Sequence, residues 1–227
     1  MPRRRPAAST WWPSTAASSP GCKLRSTRPD YDSHGMTEQR IQQQFFESAD
    51  LLYQAAEQLA RPLAMAAQMV VDAITGGNRI LCAAHGLAAL DADYLAARLA
   101  GRFEQERPGL AAWSLCAQAR DAAGLDIARL LQAHGHPGDV LLMIEPLREQ
   151  RDAWQPALAV AHAQEMSIIA LTAQPQGAAD EWRGLLQDTD IQIRVSHARE
   201  PRVVEAQRVL LHALVDAVDL QLLGSDE

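Results

Sequence analysis

The sequence predicts an α/β protein whose core is a five-stranded parallel sheet flanked by helices. Two helical segments come first, and from residue 79 short apolar segments alternate with longer segments of helical periodicity. Strands of a parallel sheet are covered by helices on both faces, so they are apolar throughout. A chain of 227 residues is long enough to bury one such core.

The region before this alternation is predicted to form a helical hairpin. From Thr37, apolar residues recur at helical spacing. Pro62 is expected to end the first helix and begin a second, which ends at residues 76–77, two glycines. Residues 1–35 are rich in Pro, Ser, Thr and Arg without periodicity, and we expect a disordered extension or a start codon placed too early. The domain is then predicted to span residues 36–227.

The strands and helices of the sheet region follow in strict alternation. The predicted strands lie at 79–83, 111–115, 139–144, 167–172 and 191–195. The predicted helices that follow them lie at 87–101, 122–134, 151–165, 179–186 and 201–223.

Charge is unevenly distributed along the chain. Residues 1–35 hold six of the 21 basic residues but only two of the 28 acidic ones, so the remainder has a net charge of about −11. So acidic a body is a poor binder of nucleic-acid phosphates. No apolar run approaches the roughly 20 residues of a membrane span. Three scattered cysteines without metal-site spacing indicate a reducing cytoplasm.

The loop after the third predicted strand, residues 145–150, is the most informative segment. Ligands of parallel α/β sheets usually bind at such loops, and a phosphate-binding loop offers small hydroxyls and backbone amides. This loop instead carries Glu145, Pro146, Arg148 and Gln150. Its carboxylates would repel a phosphate unless an arginine intervened. Otherwise the segment is a solvated helix start, or Glu145 itself takes the anion position at the helix N-terminus.

The loop after the first predicted strand is a second candidate site. Gly86 would let the backbone approach a ligand, and the helix N-terminus behind it favours an anion. No Ser, Thr or Asn is present to hold one, and Ala88 ends the loop. His85 could be an acid–base group or a ligand, although a lone loop histidine is more often simply solvated.

The last predicted helix offers a third candidate, since Glu205 and His212 lie seven residues apart and roughly on one face. A carboxylate and an imidazole on one helix could act as base and acid. On an amphipathic helix such residues are more often at a surface or an interface. Trp113, Trp154 and Trp182 are predicted to be buried or at an interface.

Four segments together resemble the sugar isomerase (SIS) domains of the phosphoheptose isomerase group: residues 77–82, 102–108, 138–142 and 170–172. Within that group the resemblance is strongest to the DnaA initiator-associating proteins, and it covers residues 36–224. It implies a flavodoxin-like SIS fold and a homotetramer, with the N-terminal and last helices packed between subunits. Isomerases of the family convert sedoheptulose 7-phosphate to a heptose 7-phosphate, some with zinc. The initiator-associating members bind the replication initiator DnaA.

Most functional positions that the resemblance implies are replaced in this chain. The family's first loop reads Gly-Asn-Gly-x-Ser, of which only Gly86 remains. Its second loop reads Ser-Thr-x-Gly-Asn-Ser, of which nothing remains, and its Asn-Asp segment between strands 2 and 3 is missing. The family's catalytic and metal positions fall at Tyr94, Arg98, Val204, Glu205, Gln207 and His212, where Glu205 and His212 are retained. Thr172 also remains, and could be kept for packing.

Isomerisation needs a base that moves a proton between adjacent carbons and an anchor for the phosphate. Because both are missing, the sequence predicts a non-catalytic SIS-domain protein without cofactor or metal, acting as an oligomeric adaptor in the cytoplasm. Its partner would be DnaA, and direct nucleic-acid binding is not expected. The alternatives are a divergent phosphoheptose isomerase or sugar-phosphate-binding protein, and a regulator that responds to a less anionic ligand.

Overall fold

The sheet has five parallel strands in the order β2-β1-β3-β4-β5. Their bounds are β1 Ile80–Ala84, β2 Ala112–Ser114, β3 Val140–Glu145, β4 Ser167–Gln174 and β5 Ile191–Ser196. Strands β1 and β3 are buried along their whole length because helices cover both faces of the sheet. The predicted parallel α/β sheet is confirmed.

The computed structural model describes residues 32–116, 126–147, 151–175 and 177–224. The chain divides into two units, Met1–Arg40 and Ile41–Glu227, and the sheet belongs to the second. Residues 1–31, which make up most of the predicted disordered extension, lie outside the described residues. None of the helices within the described ranges is long and apolar enough to cross a bilayer.

Helices pack on both faces of the sheet. Their bounds are α1 Asp32–Thr75, α2 Ala89–Ala100, α3 Ile127–His134, α4 Arg151–Ala163 and α5 Glu200–Leu223. Residues 51–73 of α1, together with α2 and α5, cover one face, and α3 and α4 cover the other. Each face has its own apolar core, and alternate residues of the same strands contribute to the two cores.

The predicted break at Pro62 is wrong, because α1 is a single helix with Pro62 inside it. A proline in a helix interior costs about 3 kcal/mol, since it removes one backbone hydrogen bond and crowds the preceding turn. The buried stripe nevertheless continues in phase across the proline, through Leu59, Leu63 and Ala66. Burial of that stripe against the sheet keeps the two halves in one helix.

The predicted helix at 179–186 is also wrong, because this segment forms turns with one isolated bridge between Arg183 and Leu186. The Asp180 side chain accepts a hydrogen bond from the Trp182 amide at 3.1 Å, which competes with helix formation. Gly184 has a φ of +86°, in the left-handed region.

The other boundaries shift only slightly. Helix α3 begins at Ile127, with the Asp126 side chain accepting from the Arg129 amide, and residues 122–125 of the predicted helix lie outside the described residues. The helix predicted at 87–101 begins as a short 3-10 turn, Gly86–Ala88, and continues as α2.

Candidate functional site at the carboxyl edge of the sheet

The two candidate loops meet where the strand order reverses. Strands β1 and β3 are neighbours, with Ala84 paired to Ile144. The helix after β1 lies on one face of the sheet, and the helix after β3 lies on the other. Such a switch point leaves a crevice at the carboxyl ends of the strands, where ligands of open α/β sheets usually bind.

Glu145 is the last residue of β3 and points into the core instead of the solvent, with only 1% of its surface exposed. Its Oε2 accepts a hydrogen bond from Trp154 Nε1 at 2.7 Å, and its Oε1 accepts one from the Leu147 amide at 2.7 Å. Glu145 is therefore not part of a solvated helix start. Its carboxyl group takes hydrogen bonds that a loop amide and an α4 side chain could otherwise offer a ligand.

Burial changes the charge state of this carboxyl group. Desolvation raises the pKa of Glu145 from 4.5 to about 7, while the hydrogen bonds from Trp154 and Leu147 partly oppose the rise. Near neutral pH the group is therefore only partly ionised. An anion at this place would meet a buried acid that itself resists ionisation.

His85, predicted to be simply solvated, is instead half-buried against α4. Its ring lies 4.8 Å from the Trp154 ring at an interplanar angle of 71°, an edge-to-face contact. His85 Nε2 is buried and has no hydrogen-bond partner among the described residues. Burial lowers the pKa of His85, which favours the neutral imidazole. His85, Trp154 and Glu145 thus form one contiguous cluster.

The rest of the first loop holds little polar chemistry. Gly86 has a φ of +58°, in the left-handed region, and opens the 3-10 turn. His85, the N-cap of that turn, makes no side-chain capping hydrogen bond. Leu87 is 85% exposed, whereas Ala88 is buried in the core. The loop presents an apolar side chain where an anion site would present hydroxyls.

Thr172 and Gln207 lie close to Glu145, and both side chains form hydrogen bonds within the protein. Thr172 pairs with Glu145 in the sheet register, is fully buried, and its hydroxyl accepts a hydrogen bond from Gln192 Nε2 at 3.1 Å. Gln207, on α5, is also buried and donates from Nε2 to the Glu145 carbonyl at 3.5 Å. Both side chains hold the sheet edge together, as the packing interpretation of Thr172 predicts.

Pro146 follows Glu145 and is buried, whereas Arg148 and Gln150 lie outside the described residues.

Three of the residues at which the resemblance expects catalytic or metal-binding groups, Tyr94, Arg98 and His212, lie together between α2 and α5. The Tyr94 hydroxyl lies 2.9 Å from His212 Nε2, and the Phe103 ring lies 5.7 Å from the His212 ring. The Arg98 guanidinium lies over the Tyr94 ring, 4.8 Å from its centroid. Val204 is half-buried and contributes no polar group.

Glu205 does not join this cluster. Its carboxylate accepts from the Ser48 hydroxyl at 2.7 Å and pairs with Arg202. Arg202 also donates to the Gln44 carbonyl and the Ser48 hydroxyl, so the contact ties α5 to α1. Glu205 and His212 therefore share a helix but contact different neighbours, and they do not form an acid–base pair.

The residues at these positions do not fit a zinc ion. His212 is the one imidazole among them and is engaged with Tyr94, while Arg98 places a positive charge beside it. Within the described ranges, no three His, Cys, Asp or Glu side chains lie close enough together to hold a metal.

Sequence reasoning missed the part that Trp154 takes in the site. Trp154 and Trp182 were predicted to be buried or at an interface, and both are buried, but the hydrogen bond from Trp154 to Glu145 was not predicted. The spacing in the sequence could have indicated this contact. Trp154 follows Glu145 by nine residues, so a helix that begins just after the loop can bring the indole back over the end of the strand.

The sequence of this chain is similar to those of known proteins. Residues 44–173 match the family model described as SIS domain. A phosphoheptose isomerase from Methylibium petroleiphilum is 43% identical over 201 residues, which cover 85% of this chain and 98% of that protein. The DnaA initiator-associating protein DiaA of Klebsiella pneumoniae is 37% identical over 188 residues, covering 79% of this chain and 94% of that protein.

Solved structures share the fold as well. The phosphoheptose isomerase GmhA from Neisseria gonorrhoeae superposes with a TM-score of 0.68 at 28% identity, covering 81% of this chain and 98% of that one. A HobA–DnaA (domain I-II) complex from Helicobacter pylori matches with a TM-score of 0.53 at 12% identity, covering 84% of this chain and 94% of that one, and shares the fold alone.

Proposed function

This chain belongs to the SIS domain family, and we propose that within it the chain is a non-catalytic, oligomeric adaptor that binds the replication initiator DnaA. Relatives named as isomerases and as initiator-associating proteins match over similar lengths. Membership of the family therefore does not distinguish an isomerase from an adaptor. The proposal depends on the residues of the site.

The buried carboxyl group of Glu145 is the observation that carries the proposal. It stands in the loop that would hold a sugar phosphate, and it is hydrogen-bonded by Trp154 and by the Leu147 amide. A phosphate would have to displace this group or be placed beside it, and either costs several kcal/mol in a desolvated crevice. Two hydrogen-bond donors at this strand end are thus taken by the chain's own Glu145 carboxyl group.

The second support is the replacement of the histidine and the glutamate that the resemblance expects on the helix after β1. Tyr94 and Arg98 replace the expected His and Glu, and Arg98 stacks on Tyr94. Glu205 is held by Ser48 and Arg202 on the α1 side of α5. Proton abstraction next to a carbonyl then lacks the expected carboxylate base, and His212, the imidazole that remains, is hydrogen-bonded to Tyr94.

Oligomer formation is supported by α1, which carries apolar residues on two sides. One side is buried on the sheet. The other leaves large side chains exposed, including Phe45 at 71%, Phe46 at 66% and Tyr53 at 76%. A long helix that is apolar on both sides needs a second covering surface. We propose that other copies of the chain supply it in a homotetramer.

DnaA as the partner is supported by the likeness to the Klebsiella pneumoniae DiaA and by the acidic body of the chain. A net charge of about −11 outside residues 1–35 suits a protein partner better than DNA. The scattered cysteines suit the cytoplasm, where an initiator would be met.

A divergent phosphoheptose isomerase or sugar-phosphate-binding protein is the second candidate. The 43% identity to the Methylibium protein of that name favours it. In that case an arginine of the 148–151 segment would have to neutralise the phosphate beside Glu145.

Turnover and ligand binding distinguish the two candidates. We expect the purified chain not to convert sedoheptulose 7-phosphate and not to be stabilised by sugar phosphates. A bound ligand at 100 times its Kd would add about 2.7 kcal/mol to the free energy of unfolding. A catalytically active isomerase serves as the matched control. Robust turnover would overturn the non-catalytic assignment.

The adaptor role is tested by capturing the host's own DnaA on the immobilised chain. We expect retention that survives about 0.15 M salt, where charge attraction beyond about 8 Å is screened. A Phe45→Glu variant tests the oligomer in parallel, since it places a charge on the exposed face of α1. Absence of DnaA retention removes the adaptor role, and a monomeric mass for the unmodified chain removes the tetramer.

A further inference from the structure

A second cleft lies at the opposite edge of the sheet from the candidate site. It has a volume of about 590 Å³, within the range of small-molecule sites. Its walls come from α1 and from the amino-terminal ends of β3, β4 and β5, together with the turn before β5. Residues at the carboxyl ends of the strands do not line it, so it is a separate place on the molecule.

The polar lining of this cleft is acidic or neutral. Asp72 lies on the α1 wall, and Asp188 lies on the turn before β5. Both residues are exposed, and no ion pair of either is found among the described residues, although Asp72 Oδ1 accepts a hydrogen bond from Gln68 Nε2 at 2.8 Å. Among the described residues that line the cleft, none is basic. An anionic ligand would meet only repulsion here, whereas a cation would find two carboxylates.

The remaining wall is apolar. Met65 and Met69 come from α1, one turn apart, and Ile191 opens β5 beside them. Flexible thioether side chains adapt to an aliphatic ligand. A cation on an apolar stem would therefore match both kinds of lining, in the way that lysine and arginine side chains bury their stems and leave their charges at polar groups.

The acidic turn is held rigidly from beneath. Asp190 has a fully buried side chain that accepts from His162 Nε2 at 2.7 Å, from the Gln187 amide at 2.7 Å and from the Ile168 amide at 3.1 Å. These three donors fix the turn that carries Asp188. A fixed wall is what a pre-formed binding site needs, because less ordering accompanies binding.

We propose that this amino-edge cleft binds an aliphatic cation, a primary ammonium or guanidinium group on an apolar stem. The cation could be a free polyamine or an arginine or lysine side chain of a protein partner. Asp72 and Asp188 hold the charge, and Met65, Met69 and Ile191 cover the stem. The proposal is independent of the function assigned to the carboxyl edge.

Calorimetric titration of the full chain with spermidine and with agmatine tests the cleft, with adipate as a probe of similar length and opposite charge. We expect both cations to bind and adipate not to bind. The Asp188→Asn and Asp72→Asn variants are each expected to weaken cation binding about tenfold, the effect of about 1.4 kcal/mol. Glu57→Gln, an exposed acid on α1 outside the cleft, is the matched control and should leave binding unchanged.

A peptide with one arginine between neutral residues separates the two sources of the cation. Binding of the peptide at least tenfold tighter than that of agmatine assigns the cleft to a protein partner, and weaker binding assigns it to a free polyamine. Failure of both cations to bind overturns the proposal. Equal weakening by Glu57→Gln and Asp188→Asn overturns it too, since binding would then reflect only the charge of the whole protein.

Discussion

The two edges of the parallel sheet are built differently. At the carboxyl edge, beside β1 and β3, Trp154 contacts both the Glu145 carboxyl group and the His85 ring. At the amino edge a cleft of about 590 Å³ stays open, with Asp72 and Asp188 exposed on its walls.

The difference shows how the surroundings of a carboxylate decide what it can do. Glu145 is buried with neutral hydrogen-bond donors, and desolvation raises its pKa to about 7. It therefore fills space and holds α4 to the strand end. The exposed aspartates of the amino edge remain available to a ligand from solvent. A residue of the same chemical kind is thus part of the packing at one edge and a candidate binding group at the other.

Removal of Trp154 is expected to have the largest effect. Trp154→Ala deletes a fully buried indole and should lower the free energy of unfolding by about 3–5 kcal/mol. Denaturant unfolding at a fixed protein concentration measures it. Trp154→Phe is the control that keeps most of the volume but removes the N–H donor, and about 1–3 kcal/mol is expected. If the alanine variant loses less than about 1 kcal/mol in the free energy of unfolding, Trp154 is not closely packed at the end of β3.

Glu145→Gln is expected to have the next largest effect, and one that depends on pH. The folded-state pKa of about 7 is higher than 4.5, so the folded state favours the protonated carboxyl. Its contribution to stability is fully present below pH 4.5 and is lost as pH rises through 7. At about 1.4 kcal/mol per pKa unit, the loss amounts to about 3 kcal/mol.

The glutamine variant lacks this loss. Measured from pH 5 to pH 8, its free energy of unfolding should rise relative to that of the unmodified chain by up to about 3 kcal/mol. Two parallel stability curves across this range would show that Glu145 is not a buried acid.

Asp190→Asn tests the amino edge of the sheet. It should lower the free energy of unfolding by less than the two preceding substitutions. The aspartate accepts three hydrogen bonds through two oxygens, whereas asparagine has one acceptor oxygen and would turn its amide towards a donor. Loss of hydrogen bonds to a charged group predicts a cost of about 1.5–3 kcal/mol, measured by denaturant unfolding. A negligible cost would mean that the turn before β5 is not held by Asp190.

The smallest effect on the free energy of unfolding is expected from Asp188→Asn, a substitution two residues before Asp190. Asp188 is exposed, so the substitution should change the free energy of unfolding by less than about 0.5 kcal/mol while it weakens cation binding. Together, the Asp190 and Asp188 variants separate the group that supports the cleft from the group that faces the ligand. A large loss of stability from Asp188→Asn would remove that distinction.

Much of the fold could be predicted from the sequence, because its signals are local. The apolar segments that became β1 and β3, and the helical periodicity between strands, follow from residues within one segment. The absence of phosphate-binding hydroxyls from the loop beginning at Glu145 is likewise a property of the sequence itself.

Other predictions failed where packing or a side-chain hydrogen bond outweighed helix propensity. Pro62 is a helix breaker by itself, but the continuous buried stripe of α1 carries the helix through it. The segment at 179–186 has helical composition, yet the Asp180 side chain and Gly184 direct it into turns around the buried Trp182. Propensity amounts to fractions of a kcal/mol per residue, so packing and side-chain hydrogen bonds outweigh it.

The sequence by itself determined the parallel sheet, the acidic body and the absence of hydroxyl side chains from the loop after β3. Only the tertiary structure decided that Glu145 turns inward to Trp154, that Tyr94 meets His212 118 residues away, and that α1 and the turn before β5 enclose a cleft. The reason is physical: a residue's charge state and partners depend on desolvation and on contacts between segments far apart in the chain, and local sequence patterns carry neither.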